Sequence, residues 1–277
     1  MELNPRYGTD PVITLDGRPS DAVGPLLRQR RRLAVALGTF GAEQWAHPSR
    51  CAGWSNLDVM VHLESTNSFW AFSIESGLRG EPTRFLNGFD PVASPAQLVA
   101  ASDADPDQVL DRFVASTESL GSLLSSLADD DWSRLAESPP GHLPIGAVAQ
   151  HALWDGWVHE RDVLLPLGIA PEEDPDEVAG SLRYVAALGP ALAMNQGSTE
   201  RGVLAVAATT PDLRFVVEVG DRVAVREGTE PADLELRGDA VALLESLSLR
   251  APLRQPVPEG ARWLLSGLAV AFDAEPA

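Results

Sequence analysis

The sequence predicts a mixed α + α/β chain: an up-down four-helix bundle over residues 1–198, then a small α+β domain with an antiparallel sheet over 199–277. Three observations predict it. Apolar residues recur at helical spacing from about residue 20 to 195, short β-branched runs replace that period after Arg201, and proline- and glycine-rich breaks separate the runs. At 277 residues the chain is long enough for two modest domains.

The elements follow in order. Leu26, Leu27, Leu33 and Leu37 form an apolar stripe, and the arginines at 28, 30, 31 and 32 read as a solvated face. Ser55 N-caps a second helix carrying Leu57, Val59, Met60, Val61, Leu63 and Phe69. Residues 91–105 are rich in Pro, Ala and Asp and read as a loop with a short helix. Val109, Phe113, Leu120, Leu123, Leu124 and Leu127 mark the third long helix. Pro139, Pro140 and Gly141 break the chain, and a fourth helix runs from about Ile145 until Pro166 stops it. Another helical stretch covers 177–194. Beyond Arg201, strands are expected at 203–208, 213–219, 222–226 and 234–237, with Gly220 and Asp221 as a hairpin turn. Helices at about 240–249 and 261–272 complete the domain.

The formal charge is −19, from 40 acidic against 21 basic residues. Such a field repels phosphate backbones and anionic lipid, so neither nucleic acid nor a membrane is an expected partner. The one cysteine, Cys51, rules out an internal disulfide framework. With no signal-peptide pattern and no apolar run near 20 residues, a soluble cytoplasmic protein is expected, as monomer or homodimer.

All five histidines precede residue 160, and the C-terminal part has no His, Cys, Lys or Tyr. Acid–base or ligand chemistry is therefore expected in the bundle. His151, Asp155 and His159 stand four residues apart on one face of the fourth helix. Residues eight apart are separated by about 12 Å along a helix axis, so His151 and His159 do not share one ion. One of them pairs with Asp155, and spacing alone does not say which. The plainer reading is a polar helix flank. His62 sits in an apolar helix, where a lone histidine is usually a satisfied core residue.

The pattern Pro48-Ser-x-Cys51-x-Gly-Trp54-Ser, then Asp58-Val, then His62-Leu resembles the mycothiol-dependent maleylpyruvate isomerase family, itself similar to the wider DinB-like metal-binding four-helix bundles. The segment Asp155-x-x-Val-His159-x-x-Asp162 is similar to that family's acid and Val-His signature. The resemblance implies a metal held by His62, Asp155 and His159, and a sterol-carrier-like second domain. The family usually carries Glu where this chain has Asp155, and the shorter carboxylate moves the ion about one methylene closer to the fourth helix. His151 then lies outside the ligand set or faces substrate.

Three protein ligands leave an open position, as in catalytic zinc sites, and a thiol entering it loses its proton. The resemblance supplies mycothiol as that thiol. The expected cofactors are thus a divalent metal, Zn²⁺, and mycothiol. The expected activity is an isomerase or S-transferase acting on a small electrophilic metabolite. The competing readings are a non-catalytic small-ligand binder with a structural metal, and a metal-dependent hydrolase that activates water. Trp54, Trp154 and Trp157 are expected to wall the pocket that takes the thiol, alongside Trp70, and Arg84 to clamp a substrate carboxylate. Arg250 resembles the arginine of the family's Gly-Arg-x-Pro turn, which faces the site from the second domain, although Leu249 stands in the glycine's place. Cys51 precedes the second helix and is close enough in sequence to approach the site.

Overall fold

A computed structural model describes residues 1–103 and 105–274. Ala104, within the loop expected over 91–105, and residues 275–277, at the end of the second domain, lie outside the described residues. A short strand β1 (Ile13–Leu15) precedes α1 (Val23–Leu37), α2 (Ala42–Ala46), α3 (Asn56–Leu78), α4 (Ala93–Ala100) and α5 (Pro106–Ser125). A hairpin of β2 (Leu135–Ser138) and β3 (Gly141–Pro144) leads into α6 (Ile145–Leu164) and α7 (Pro175–Asn195). The bundle is built from α1, α3, α5 and α6.

Local chemistry sets the helix starts. The Ser55 hydroxyl accepts from the Asp58 amide while the Asp58 carboxylate accepts from the Ser55 amide, closing a capping box on α3. Asp105 caps α5 ahead of Pro106 at its first turn.

The arginines of α1 are not all solvated. Leu26, Arg30, Leu33 and Leu37 share the i, i+4, i+7 face, so the helical period itself carries Arg30 into the core. Arg30 is 1% exposed and donates to Asn67 Oδ1 at 2.8 Å and to the Ala152 carbonyl at 2.9 Å. Gln29 donates to the Gly156 carbonyl at 3.0 Å. Arg32 pairs with the buried carboxylates of Glu160 and Glu177. These bonds lock α1 to α6 at the stretch that carries Asp155. Gly156 leaves room for them: a Cβ there would lie 2.5 Å from Gln29 Oε1 and 2.6 Å from Arg30 Nη1, so both side chains would have to shift.

The second half holds β4 (Gly202–Thr209), β5 (Leu213–Val219), β6 (Val223–Glu227), β7 (Leu234–Asp239), α8 (Ala240–Leu247) and α9 (Trp263–Ala271). The sheet order is β1-β6-β5-β4-β7. The three central strands pair antiparallel as expected, whereas β7 runs parallel to β4 and β1 parallel to β6. The sheet is therefore mixed at its edges. The chain crosses from one side of the meander to the other before β7, which then runs in the same direction as β4. β1 comes from the far end of the sequence, and its three residues are too short to give a periodic signal.

Helix α7 packs on α6, on α9 and on the sheet. One apolar core accordingly runs from Leu153 and Trp157 through Leu182 and Leu188 to Val206, Phe215, Val217 and Leu268. A smaller cluster of Leu33, Trp45, Met60, Leu63, Phe113 and Val163 fills the bundle beside His62. Among the described residues no helix is long and apolar enough to cross a membrane.

Candidate metal centre

His62 is contributed by α3, and Asp155 and His159 by α6, whose i, i+4 spacing turns both toward α3. One donor atom from each of the three lies within 4.8 Å of the others. His159 Nε2 is 3.6 Å from Asp155 Oδ1, and the His62 and His159 rings meet edge-on at 5.1 Å. The Thr66 hydroxyl, which donates to the Leu63 carbonyl at 3.0 Å, stands 3.4 Å from Asp155 Oδ2. Of the two histidines that spacing left open on α6, His159 is the one that stands with Asp155 and His62.

Behind His159 lies Asp162, which had no assigned role although it stands three residues on, on the same helix face. His159 Nδ1 donates to Asp162 Oδ2 at 3.0 Å, which leaves Nε2 for the group facing Asp155 and His62. Asp162 is 0% exposed and receives a two-pronged ion pair from Arg250, with Nε and Nη2 each at 2.8 Å. Cys51 Sγ also donates to Asp162 at 3.2 Å and sits 3.7 Å from His159 Nδ1.

Electrostatics separate the two imidazoles. Burial, then repulsion from His159, pushes His62 down to about 4. Burial works against charge on His159 too, but Cys51 and the Asp162 hydrogen bond outweigh it, raising His159 to about 10. Burial opposes the Asp155 carboxylate as well and is overcome by His159, His62, His151 and Arg30, so its value is lowered. A neutral imidazole, a carboxylate, and a second imidazole whose Nδ1 proton is held by Asp162 and whose Nε2 proton a divalent cation would displace make a donor set for such an ion. Cys51, His159 and Asp162 also come within ligand distance of one another. There, however, Arg250 already occupies both oxygens of Asp162, and its positive charge opposes a second cation.

Arg250 reaches the site because of the turn after α8. The Arg250 amide bonds the Glu245 carbonyl at 2.8 Å and the Leu249 amide bonds that of Ser246 at 3.1 Å, a Schellman ending. Leu249 occupies the left-handed position with φ of 60°, where a glycine fits without a Cβ penalty. Glu245 on the same helix pairs with Arg50 and, at 2.6 Å, with Arg161. Sequence reasoning passed over this network, since its partners lie 84 and 195 residues apart.

The remaining candidates divide. Trp54 stands 5.5 Å from the His62 ring, edge-on. Trp154 packs its edge on His151 and donates Nε1–H to Ser248 Oγ at 2.9 Å, tying α6 to the second half. Trp157 is 1% exposed and lies under the Arg161 guanidinium, in the core. His151 is buried with Nδ1 2.6 Å from the Tyr184 hydroxyl and is not brought into the ligand set. Arg84 is exposed over the Tyr7 ring. Its loop is pinned by buried Glu137, which accepts from Tyr7, from Thr83 and from the Phe85 and Leu86 amides. The contacts of Arg84 are thus with this cluster and not with the imidazoles. His142, directly after the Pro139–Gly141 break, sits buried in β3 between the carbonyls of Gly8 and Thr83.

The family model described as the mycothiol maleylpyruvate isomerase N-terminal domain matches residues 26–164, half of the chain and the part that holds His62, Asp155 and His159. Two crystal structures of mycothiol-dependent maleylpyruvate isomerase, one of them a histidine-to-alanine mutant, are similar to the chain. Each has 16% identity and a TM-score of 0.60, and the match covers 87% of this chain and 95% of the other. At that identity the likeness is one of fold. No curated protein matches the chain.

Proposed function

The chain belongs to the mycothiol maleylpyruvate isomerase N-terminal domain family, and on that premise we propose a thiol-using isomerase or S-transferase that acts on a small electrophilic metabolite. In this reading His62, Asp155 and His159 hold Zn²⁺, and mycothiol is the thiol. The observation that carries it is the convergence of those three donors within 4.8 Å, with His159 Nδ1 held from behind by Asp162.

When bound, a divalent ion supplies the electrostatic pull that turns a thiol into a thiolate at neutral pH. The chain's own residues do the rest. Asp162 fixes the His159 tautomer so that Nε2, not Nδ1, faces the ion's position. Arg250 holds Asp162 ionised and in place from the second half of the molecule. Burial keeps His62 neutral and therefore able to act as a ligand. The Trp54 ring packs edge-on against His62.

The test is metal content together with thiol dependence. Purified protein is expected to hold about one zinc per chain and to lose it in His62→Ala and His159→Ala. Mycothiol is expected to bind the zinc-loaded protein with release of a proton, counted by calorimetry in two buffers. It should not bind the metal-free protein. Maleylpyruvate is the first electrophile to try. Zinc retained by both variants would overturn the ligand set, and turnover indifferent to thiol would favour a hydrolase.

A further inference from the structure

One helical turn before Asp155, on the same face of α6, lies a polar group that the metal site does not use. His151 is 5% exposed among the rings of Trp70, Trp154 and Tyr184, with centroids 4.6, 5.3 and 5.1 Å away. Its Nδ1 is 2.6 Å from the Tyr184 hydroxyl and 3.1 Å from that of Ser138, both fully buried. A phenol is a stronger acid than neutral imidazole. The short contact is therefore assigned as Tyr184 donating to Nδ1, which places the ring proton on Nε2. Burial keeps the ring uncharged at neutral pH. Among the described residues Nε2 makes no hydrogen bond. The Trp70 ring lies 4.6 Å from that of His151, centroid to centroid; its indole Nε1–H, in a residue 3% exposed, has no partner either, and it is the only nitrogen among the buried unpaired side-chain atoms of the described residues.

An unpaired buried donor costs about 1–3 kcal/mol, and native proteins seldom leave one without a use. Here that donor is Trp70 Nε1–H, and a second neutral N–H without a partner, His151 Nε2–H, belongs to the ring packed against it, one helical turn from Asp155. Neutral donors in a dry site suit an uncharged oxygen on which negative charge can develop, whereas Asp155 disfavours a permanent anion there. From this juxtaposition we infer that His151 Nε2–H and Trp70 Nε1–H form a two-donor cradle for the carbonyl oxygen of the electrophile, with Tyr184 and Ser138 as positioning residues that hold the His151 tautomer. The inference rests on the proposed function, since it places the electrophile beside the thiol's site.

The experiment compares levulinate with pentanoate, which differ only in a ketone oxygen, as probes of the zinc-loaded protein. Binding is followed by calorimetry and by indole fluorescence from Trp70 and Trp154, without any turnover. Levulinate is expected to bind about tenfold tighter, the size of one or two net hydrogen bonds. His151→Phe should bring that ratio near one while zinc content stays stoichiometric. His151→Gln, which returns a donor near Nε2, should restore part of it, and Trp70→Phe should lower it. A ratio near one in the wild type would mean that the donors hold only water, and an unchanged ratio in His151→Phe would remove His151 from the cradle; either overturns the inference. Missing zinc or thiol-independent turnover is a separate readout and counts against the proposed function itself.

Discussion

At the residue scale, the centre depends on groups that stand one layer behind the donors. Asp162→Asn keeps the shape of the side chain but loses the charge that holds both His159 and Arg250. Zinc affinity should fall by about 10–100-fold in this variant, as outer partners of ligating histidines typically allow. Competition with a calibrated chelator measures it. His151 gives a second expectation. Its ordinary value of 6.5 is lowered to about 4 by burial, partly offset by Asp155. Between those values the unfolded chain binds more protons than the folded one, so stability falls as pH drops through that window. The loss from pH 7.5 to pH 5 should be about 2 kcal/mol for this group, and denaturant titrations should show His151→Phe without it. The convergence of His62 and His159 with Asp155 was legible because of a motif and an i, i+4 spacing. The roles of Asp162 and Tyr184 were not, because a hydrogen bond to a ligand's far nitrogen, or one across to α7, leaves no periodic trace in the sequence.

At the element scale, the turn after α8 and the crossing of α7 with α9 carry the most constraint. Leu249 holds a left-handed conformation that aims Arg250 at Asp162. A β-branched residue tolerates that conformation poorly, so Leu249→Val should cost about 1–2 kcal/mol and weaken zinc binding along with stability. Gly267 on α9 lies so close to α7 that a Cβ would collide with the Gly189 carbonyl and the Ala193 amide nitrogen. Gly267→Ala should therefore destabilise by about 1–3 kcal/mol through overpacking, read as a lowered thermal midpoint with zinc stoichiometry unchanged. The long helices and the antiparallel meander were readable because each carries its own hydrophobic period. The parallel edges of the sheet were not: β7 and β1 are placed by chain crossing and by long-range pairing, which local pattern does not encode. The burial of Arg30 was written in the 26, 30, 33, 37 spacing, but its charge argued the other way until Asn67 and the Ala152 carbonyl supplied partners.

At the scale of the whole molecule, α7 belongs to the bundle and to the sheet at once, and β1 carries the chain's early residues into the late sheet. With the larger apolar core running through both halves, chemical unfolding is expected in one transition, with far-ultraviolet dichroism and tryptophan fluorescence coinciding. The same shared helix has a kinetic meaning. Two lobes that own a common strut have no joint about which to swing, so a ligand's path to the imidazoles must open by the turning of side chains and small loops. Entry is then a local fluctuation on the nanosecond to microsecond scale, and the molecule's outline does not breathe. Small-angle scattering should give the same radius of gyration for the metal-free, zinc-loaded and thiol-saturated protein, and a change on loading would reveal a joint that α7 does not restrain.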